Sequence, residues 1–405
     1  MYPRKDLDIS PLDFICAMRY LLDSENDVKK NKKITTKITA LWQTPKHVLV
    51  SLSVRSGFEL LLTTLNLPEG SEVIITGITI PDIVKIIEKH KLKVVAVDMH
   101  MPELAIKIDE LKKAVTSKTR MIIPTHLFGT RIPLDEMFSI LKSYPDILVV
   151  EDCAEAFSGV HDYQGDLHSD IVMFSFGTIK FATALGGGVF LIKRKETFEK
   201  MASLQQQWPT MNKKQYLKKI MTGLFYKIIG IKSVLGFTYR LFKWTGNDLD
   251  NFLMEHLRGF KGGDFFTLIR RQPPFAMKML LYRRLKNFGP AEAQRNVKPV
   301  KAIKKFISPD ARIAGIKNSN QGNWLFSASA NNQDNLIKEI IKLNIDATKY
   351  STQLKVVKNT DNGIYPSECT SYMESIIYIP LLTSMSEELL KKIAKAINYD
   401  ASNSI

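Results

Sequence analysis

The amino-acid sequence predicts an α/β protein: a doubly wound, mostly parallel sheet with a smaller C-terminal α+β domain. Three observations lead there. Seven short apolar runs recur between residues 47 and 192. Most are rich in Val and Ile and apolar on both faces, as strands buried inside a parallel sheet should be. Helical patterns fall between them, and alternation of strand and helix favours a sheet covered on both sides. Finally, a chain of 405 residues exceeds the size at which one core stops growing, so more than one domain is expected.

Residues 1–46 read as an N-terminal helical appendage with a basic linker, VKKNKKITTK. Residues 47–204 read as the large α/β domain. Its strands are expected at HVLVSL, EVIIT, KVVAVD, RMIIPTH, ILVVED, DIVMFSF and GGVFLI. Helices are expected between them at GFELLLTTLNL, PDIVKIIEKHK and PLDEMFSILKSY. Residues 205–292 read as a basic helical insertion. Residues 293–405 return to short strands and helices (NWLFSASA, DNLIKEIIKLNI, SIIYIPLL, SEELLKKIAKAI) and read as the small α+β domain. Open α/β sheets bind ligands beyond the carboxyl ends of their strands, so the chemistry is sought there.

Composition narrows the classes. The chain is 45% hydrophobic and 24% charged, close to an ordinary folded protein. Cys16, Cys153 and Cys369 are scattered, with no CxxC or Cys/His ligand spacing, so neither a disulfide framework nor a metal site is expected. The start, MYPRKDLDISPLDF, has no long apolar stretch, and no run of 18 uncharged apolar residues occurs. A cytoplasmic protein without a signal peptide or spanning helix is therefore expected. Lys and Arg outnumber Asp and Glu by 57 to 41, a net charge of +16, which favours anionic partners. Residues 213–246 hold eight of the basic side chains and no acidic one. The rest is only moderately basic, and no nucleic-acid partner is expected.

Three segments carry candidate chemistry. In LVVEDCAEAFSG, Asp152 ends an apolar strand on the ligand side of the sheet. A buried carboxylate there needs a partner, and a protonated ring nitrogen would serve; a helix N-cap is the plainer alternative. In DIVMFSFGTIKFATALGGGVFLI, a strand ends in Ser175 and a loop carries Lys180 towards Gly186, Gly187 and Gly188. A partly desolvated lysine loses basicity and becomes a nucleophile; a lysine reaching outward to solvent is the alternative. In VLVSLSVRSGFELLLTTL, Ser56 and Glu59 have capping-box spacing, and freed amides beside Gly57 could hold a phosphate. An ordinary capped helix explains this last pattern equally simply.

Taken together and in order, the motifs resemble the DegT/DnrJ/EryC1/StrS family of pyridoxal-phosphate-dependent sugar aminotransferases, enzymes of fold type I. The residues are Ser56-Gly57-Phe58-Glu59-Leu60, then GSEVIITGITI, then His126-Leu127-Phe128-Gly129, then Glu151-Asp152-Cys153-Ala154-Glu155-Ala156, then Phe174-Ser175-Phe176-Gly177-Thr178-Ile179-Lys180, then Gly187-Gly188. The resemblance implies pyridoxal 5'-phosphate as cofactor, held by Lys180 as a Schiff base. Asp152 would pair with the ring nitrogen. Ser175 and the amides of Gly57 and Phe58 would hold the phosphate, and Ser56 belongs to the same turn. Glu155 would face the phenolic oxygen, and Ile80 would cover the ring face. His126 is expected to be structural.

Several positions depart from the family's usual residues. Ile80 stands for an aromatic ring, Phe58 for Thr, Glu155 for Gln and Gly186 for Glu. The retained lysine favours transamination over dehydration. The resemblance thus implies an aminotransferase moving an amino group from glutamate to a nucleotide-linked keto sugar, acting as a homodimer. Dehydration, transfer to a non-sugar ketone, or a non-catalytic regulatory protein on the same fold are the alternatives. The basic, apolar segment 213–246 suits either a helical cover for the dimer or contact with the inner membrane face.

Overall fold

The computed structural model describes residues 1–4, 6–23, 28–245, 264–320, 324–349, 353–358 and 365–402. Two helices, α1 (Pro11–Tyr20) and α2 (Val28–Trp42), precede the main sheet. Its strands are β1 (His47–Ser51), β2 (Glu72–Thr76), β3 (Lys93–Val97), β4 (Thr119–Ile123), β5 (Leu148–Asp152), β6 (Ile171–Ser175) and β7 (Gly188–Ile192). All seven lie within the apolar runs, allowing a residue at the ends. Their spatial order is β1-β7-β6-β5-β4-β2-β3. Five of these strands run parallel to their neighbours from β6 through to β3. β7 alone is antiparallel to both β1 and β6, because the Lys180 loop is a short return rather than a helical crossover.

Alternation along each strand explains the layers. Leu49, Val73, Ile75, Val94, Met121, Val150, Met173 and Phe190 point to one face. There they meet α3 (Val54–Leu65), α4 (Pro81–Lys89) and α7 (Lys195–Gln206). Val48, Val50, Phe174 and Leu191 point to the other, together with Phe14, Ile34, Ile38 and Trp42. The first 46 residues are thus no appendage. Trp42, fully buried, lies 5.1 Å from the Phe174 ring, so α2 is a wall of the main core. Over β2–β5 the same face is covered by α5 (Ile108–Ala114) and α6 (Asp135–Leu141).

The segment read as an insertion contains α8 (Lys213–Ile229), α9 (Lys232–Thr245), α10 (Phe265–Ile269) and α11 (Phe275–Lys286). Of 213–246, Gly246 lies outside the described residues. α11 is a core helix: Phe275, Ala276, Met277, Leu280 and Leu281 are buried against α1 and α2. The chain then forms α12 (Pro290–Lys304), α13 (Gln333–Lys342), α14 (Ser367–Glu374) and α15 (Glu387–Ser402). They accompany an antiparallel sheet of β8 (Arg312–Ile313), β9 (Phe326–Ser329) and β10 (Ile376–Ile379). Ile313, Phe326, Ala328, Ile340, Ile377, Ile393 and Ile397 form its separate core.

Two joints fasten this C-terminal layer to the main sheet. Lys355 and Val356 pair antiparallel with Ile78 and Thr79. Asp98, fully buried, accepts hydrogen bonds from the amides of Glu368 and Cys369 at 2.9 Å, capping α14 from across the joint, and from Lys107 Nζ at 2.7 Å. A carboxylate suits the exposed amides of a helix N-terminus.

Candidate active site

The site forms where β5 and β6 end. Successive residues of β5 face opposite ways, so Glu151 and Asp152 do different work. Glu151 is fully buried and accepts from His126 Nε2 at 2.7 Å, Ser169 Oγ at 2.7 Å, the amide of Asp166 at 2.7 Å and the Tyr163 hydroxyl. His126 Nδ1 accepts from the amide of Ile132 at 2.9 Å, which places the imidazole proton on Nε2. Burial works against ionisation of Glu151, yet the bonds from His126, Tyr163 and Ser169 hold its carboxyl down at about 2. Both ring nitrogens of His126 are thereby committed to structure.

Asp152 points to the opposite side. Its backbone is locked to the β4 extension, its amide donating to Pro124 O and its carbonyl accepting from His126. Among the described residues its carboxylate takes one hydrogen bond, from the amide of Ala154 to Oδ1 at 2.9 Å. It is buried, and burial pushes its pKa up to about 6 against the pull of the Ala154 amide and the charge of Lys180. Such a carboxylate gains most from a cationic partner.

The loop after β6 folds back on itself. Phe176 O accepts from Ala184 and Gly186, while Thr183 Oγ1 reaches Gly177 O at 2.8 Å. Ala182 and Leu185 are buried with φ of 48° and 58°, a conformation fixed by these bonds and by Asp8, which accepts from the Ala182 amide at 2.7 Å. Lys180 is carried inward. Its Nζ lies 3.1 Å from Glu155 Oε1 and 3.5 Å from the centre of the Trp324 ring. Burial lowers its basicity, and the carboxylates of Glu155 and Asp152 oppose that shift.

The backbone of one residue, Phe128, organises these neighbours. The amide of Phe128 donates to Glu155 Oε2 at 3.0 Å, and its carbonyl accepts from the amide of Trp324 at 3.0 Å. Trp324 Nε1 donates to Ile179 O at 2.9 Å, beside Lys180. Gly129 has φ 88°, and a Cβ there would lie 2.4 Å from the Trp324 nitrogen, so no other residue fits. Trp324 was not singled out in the sequence. The HLFG run marked one half of this junction, but nothing local marked its partner.

The phosphate expectation needs correction. α3 begins at Val54, and its N-cap is Ser53, whose Oγ accepts from Ser56 N at 3.1 Å and pairs with Ser56 Oγ at 2.9 Å. Ser56 is buried in the first turn. The Gly57 amide is closed onto Ser53 O at 3.0 Å, and Phe58 lies fully buried in the core. Neither residue is at a helix end. Glu59 does not complete a capping box; it is buried and bound by Arg270 and His90. Gly57 is required by packing, since a Cβ there would lie 2.0 Å from the Phe190 ring. Helix geometry puts the amide of Val54, the first helical residue, outside the intrahelical ladder instead. The Arg55 guanidinium meets Asp82 and Gln353 Oε1, the latter at 2.8 Å.

Other sequence candidates fall as follows. Ser175 ends β6, and its hydroxyl makes no hydrogen bond among the described residues. Thr125 Oγ1, paired alongside Asp152, is buried with no partner among them. Ile80 is the N-cap residue of α4, partly buried between the two cores. A Cβ on Gly186 would come within 3.1 Å of Met277 Sδ, so the close approach of α11 accounts for its smallness. His126, Glu151 and Cys153 bring three potential metal-ligand atoms within 4.8 Å, but hydrogen bonds already join them.

Comparison with known proteins gives the family and the fold. Residues 23–244 match the model of the DegT/DnrJ/EryC1/StrS aminotransferase family. A Methanocaldococcus jannaschii protein called uncharacterized protein MJ1066 is 29% identical over 37% of this chain and 41% of its own length. The GDP-perosamine synthase of Escherichia coli O157:H7 is 28% identical over 32% of this chain and 35% of its own. The chain thus matches well under half the length of these curated relatives. Among solved structures, the putative sugar aminotransferase Spr1654 of Streptococcus pneumoniae, in its PMP-form, superposes with a TM-score of 0.69 at 19% identity, covering 99% of both chains. At that identity the likeness is one of fold.

Proposed function

The chain belongs to the DegT/DnrJ/EryC1/StrS aminotransferase family, and on that premise we propose that it is a pyridoxal-phosphate-dependent aminotransferase that transfers an amino group from glutamate to a nucleotide-linked keto sugar. The observation that carries the reading is the convergence of a largely buried amine, Lys180, whose side chain is 16% exposed, with a buried carboxylate, Asp152, whose Oδ2 takes no hydrogen bond among the described residues.

The surrounding groups fit the cofactor's chemistry. Asp152 supplies an acceptor for a ring N–H. The Ser175 hydroxyl and the first amide of α3 supply donors for a phosphate. Glu155 meets Lys180 and Thr125 pairs alongside Asp152, and Ile80 is the residue assigned to cover the ring face. When bound, pyridoxal phosphate supplies an electron sink that stabilises charge at the substrate's amine-bearing carbon.

The chain's own residues do the rest. Lys180 attaches the cofactor through its amine and, once released, moves a proton to or from the substrate carbon. Glu155, held by Phe128, and Trp324 keep the free amine from swinging away. Asp152 keeps the ring nitrogen protonated by holding negative charge beside it. Arg55 lowers the basicity of Lys180 and adds positive potential for an anionic substrate. A homodimer is part of the reading, supported by family membership alone.

Purified protein incubated with pyridoxal phosphate should acquire a visible absorption band, and glutamate should discharge it with release of 2-oxoglutarate. A discharge by other amino acids but not glutamate would overturn the donor. No band at any pH would overturn the reading as a whole.

A further inference from the structure

Nine of the fourteen exposed large apolar side chains among the described residues fall on two stretches of chain; Val28, Tyr144, Leu167, Tyr365 and Tyr399 lie elsewhere. Among the described residues, Leu12, Ile15, Met18 and Leu22 stand out on or just after α1, and Met221, Phe225, Ile228, Ile231 and Phe237 on or between α8 and α9. Leu22, Phe237 and Ile15 are 86%, 68% and 66% exposed. The two stretches are on neighbouring helices, since α1 packs on α8: a Cβ on Gly223 would lie 3.3 Å from Phe14. Large apolar side chains exposed together on neighbouring helices mark an interaction surface.

α8 is two-faced. Tyr216, Ile220, Gly223 and Tyr226 turn inward, and Tyr216 donates to Ala184 O at 2.8 Å, bracing the Lys180 loop. Met221, Phe225 and Ile228, spaced by four and three residues, turn outward. After Ile229 the chain bends by 87° into α9. No single described helix is long and apolar enough to cross a membrane; a bent pair of this shape suits a surface.

Charge selects the occupant. Lys214, Lys218, Lys232 and Arg240 are exposed around the apolar ridge, and residues 213–246 contain no acidic residue. The only carboxylate of α1, Asp13, is buried against Arg283 and Arg284. A second copy of so basic a face would meet like charge, whereas an anionic lipid layer would meet opposite charge and accept the apolar side chains. We propose that α1, α8 and α9 dock this protein on an anionic bilayer surface, with Phe225 and Ile228 entering the lipid.

The test is sedimentation of the full-length protein with vesicles of phosphatidylglycerol and phosphatidylcholine, against pure phosphatidylcholine, with molar mass measured in parallel. Wild type should bind the anionic vesicles at least about tenfold more tightly, and the preference should fall with salt. Phe225→Ser with Ile228→Ser should lose about tenfold in binding to anionic vesicles, with unchanged mass and melting temperature. Lys214→Gln with Lys218→Gln, which leaves the apolar face intact, should reduce only the anionic preference. Equal binding to neutral vesicles, or none to either, would overturn the proposal. So would a serine variant that halves the mass while vesicle binding persists, because a second copy would then cover the face.

Discussion

The ring of Trp324 lies directly against the amine of Lys180, with Nζ 3.5 Å from its centre. A π face stabilises ammonium by about 0.5–2 kcal/mol, against burial, which favours the neutral amine. Trp324→Leu keeps an apolar cover and removes the π face, whereas Trp324→Phe retains it. The pH profile for cofactor attachment should move down in the leucine variant relative to the phenylalanine variant, by about half to one and a half units. Superimposable profiles would show that Trp324 only fills space.

Asp152 titrates at about 6 in the folded chain, against 3.8 for an ordinary aspartate. The raised value means that the unfolded chain releases this proton first. The group therefore costs nothing below about pH 4, costs progressively more up to pH 6, and reaches a plateau of roughly 3 kcal/mol above it. Asp152→Asn should stabilise the cofactor-free protein at pH 8 and leave it unchanged at pH 4, as read by urea unfolding. The same variant should bind cofactor poorly.

Asp98 joins the two layers through Lys107 and the amides that open α14. Burial works against its ionisation, but Lys107 and those amides hold its pKa below the ordinary aspartate value. Its contribution is thus present above the ordinary aspartate range and lost as pH falls through the folded value. Asp98→Ala removes the acceptor of two helix amides and leaves Lys107 to Glu368 at 3.3 Å and Glu110 at 4.0 Å, with an expected loss of about 3 kcal/mol at pH 7. A variant as stable as wild type in urea would show the joint to be dispensable.

Gly57→Ala separates packing from cofactor binding. The added methyl meets the buried Phe190 ring, and overpacking of this kind costs about 1–3 kcal/mol. Cofactor affinity should follow the stability loss and no more. A large drop in affinity in a stably folded variant would return Gly57 to the phosphate site.

Much of this was legible because it is local. Strands buried on both faces announce themselves as Val- and Ile-rich runs, and Asp152, Ser175 and Lys180 lie at or just beyond their ends. The start of α3 was misread because Ser53 and Ser56 both precede a plausible helix. Glu59 imitates a capping box while its real partners, Arg270 and His90, come from elsewhere in the chain. The reversed direction of β7 depends on how the Lys180 loop returns, which apolar content does not report. Trp324 and the α14 cap on Asp98 depend on contacts between distant segments, and sequence periodicity is blind to those.

Lys180 has two rivals, since burial also brings Lys219 and Lys278 down to about 8. Neither is within hydrogen-bond reach of Asp152 or Glu155 among the described contacts. The direct measurement is to load the protein with pyridoxal phosphate, reduce it with borohydride and locate the modified lysine by peptide mass spectrometry. A pyridoxyl group is expected on Lys180, and its loss in Lys180→Ala. Stoichiometric label on Lys219, on Lys278 or on no lysine would contradict it.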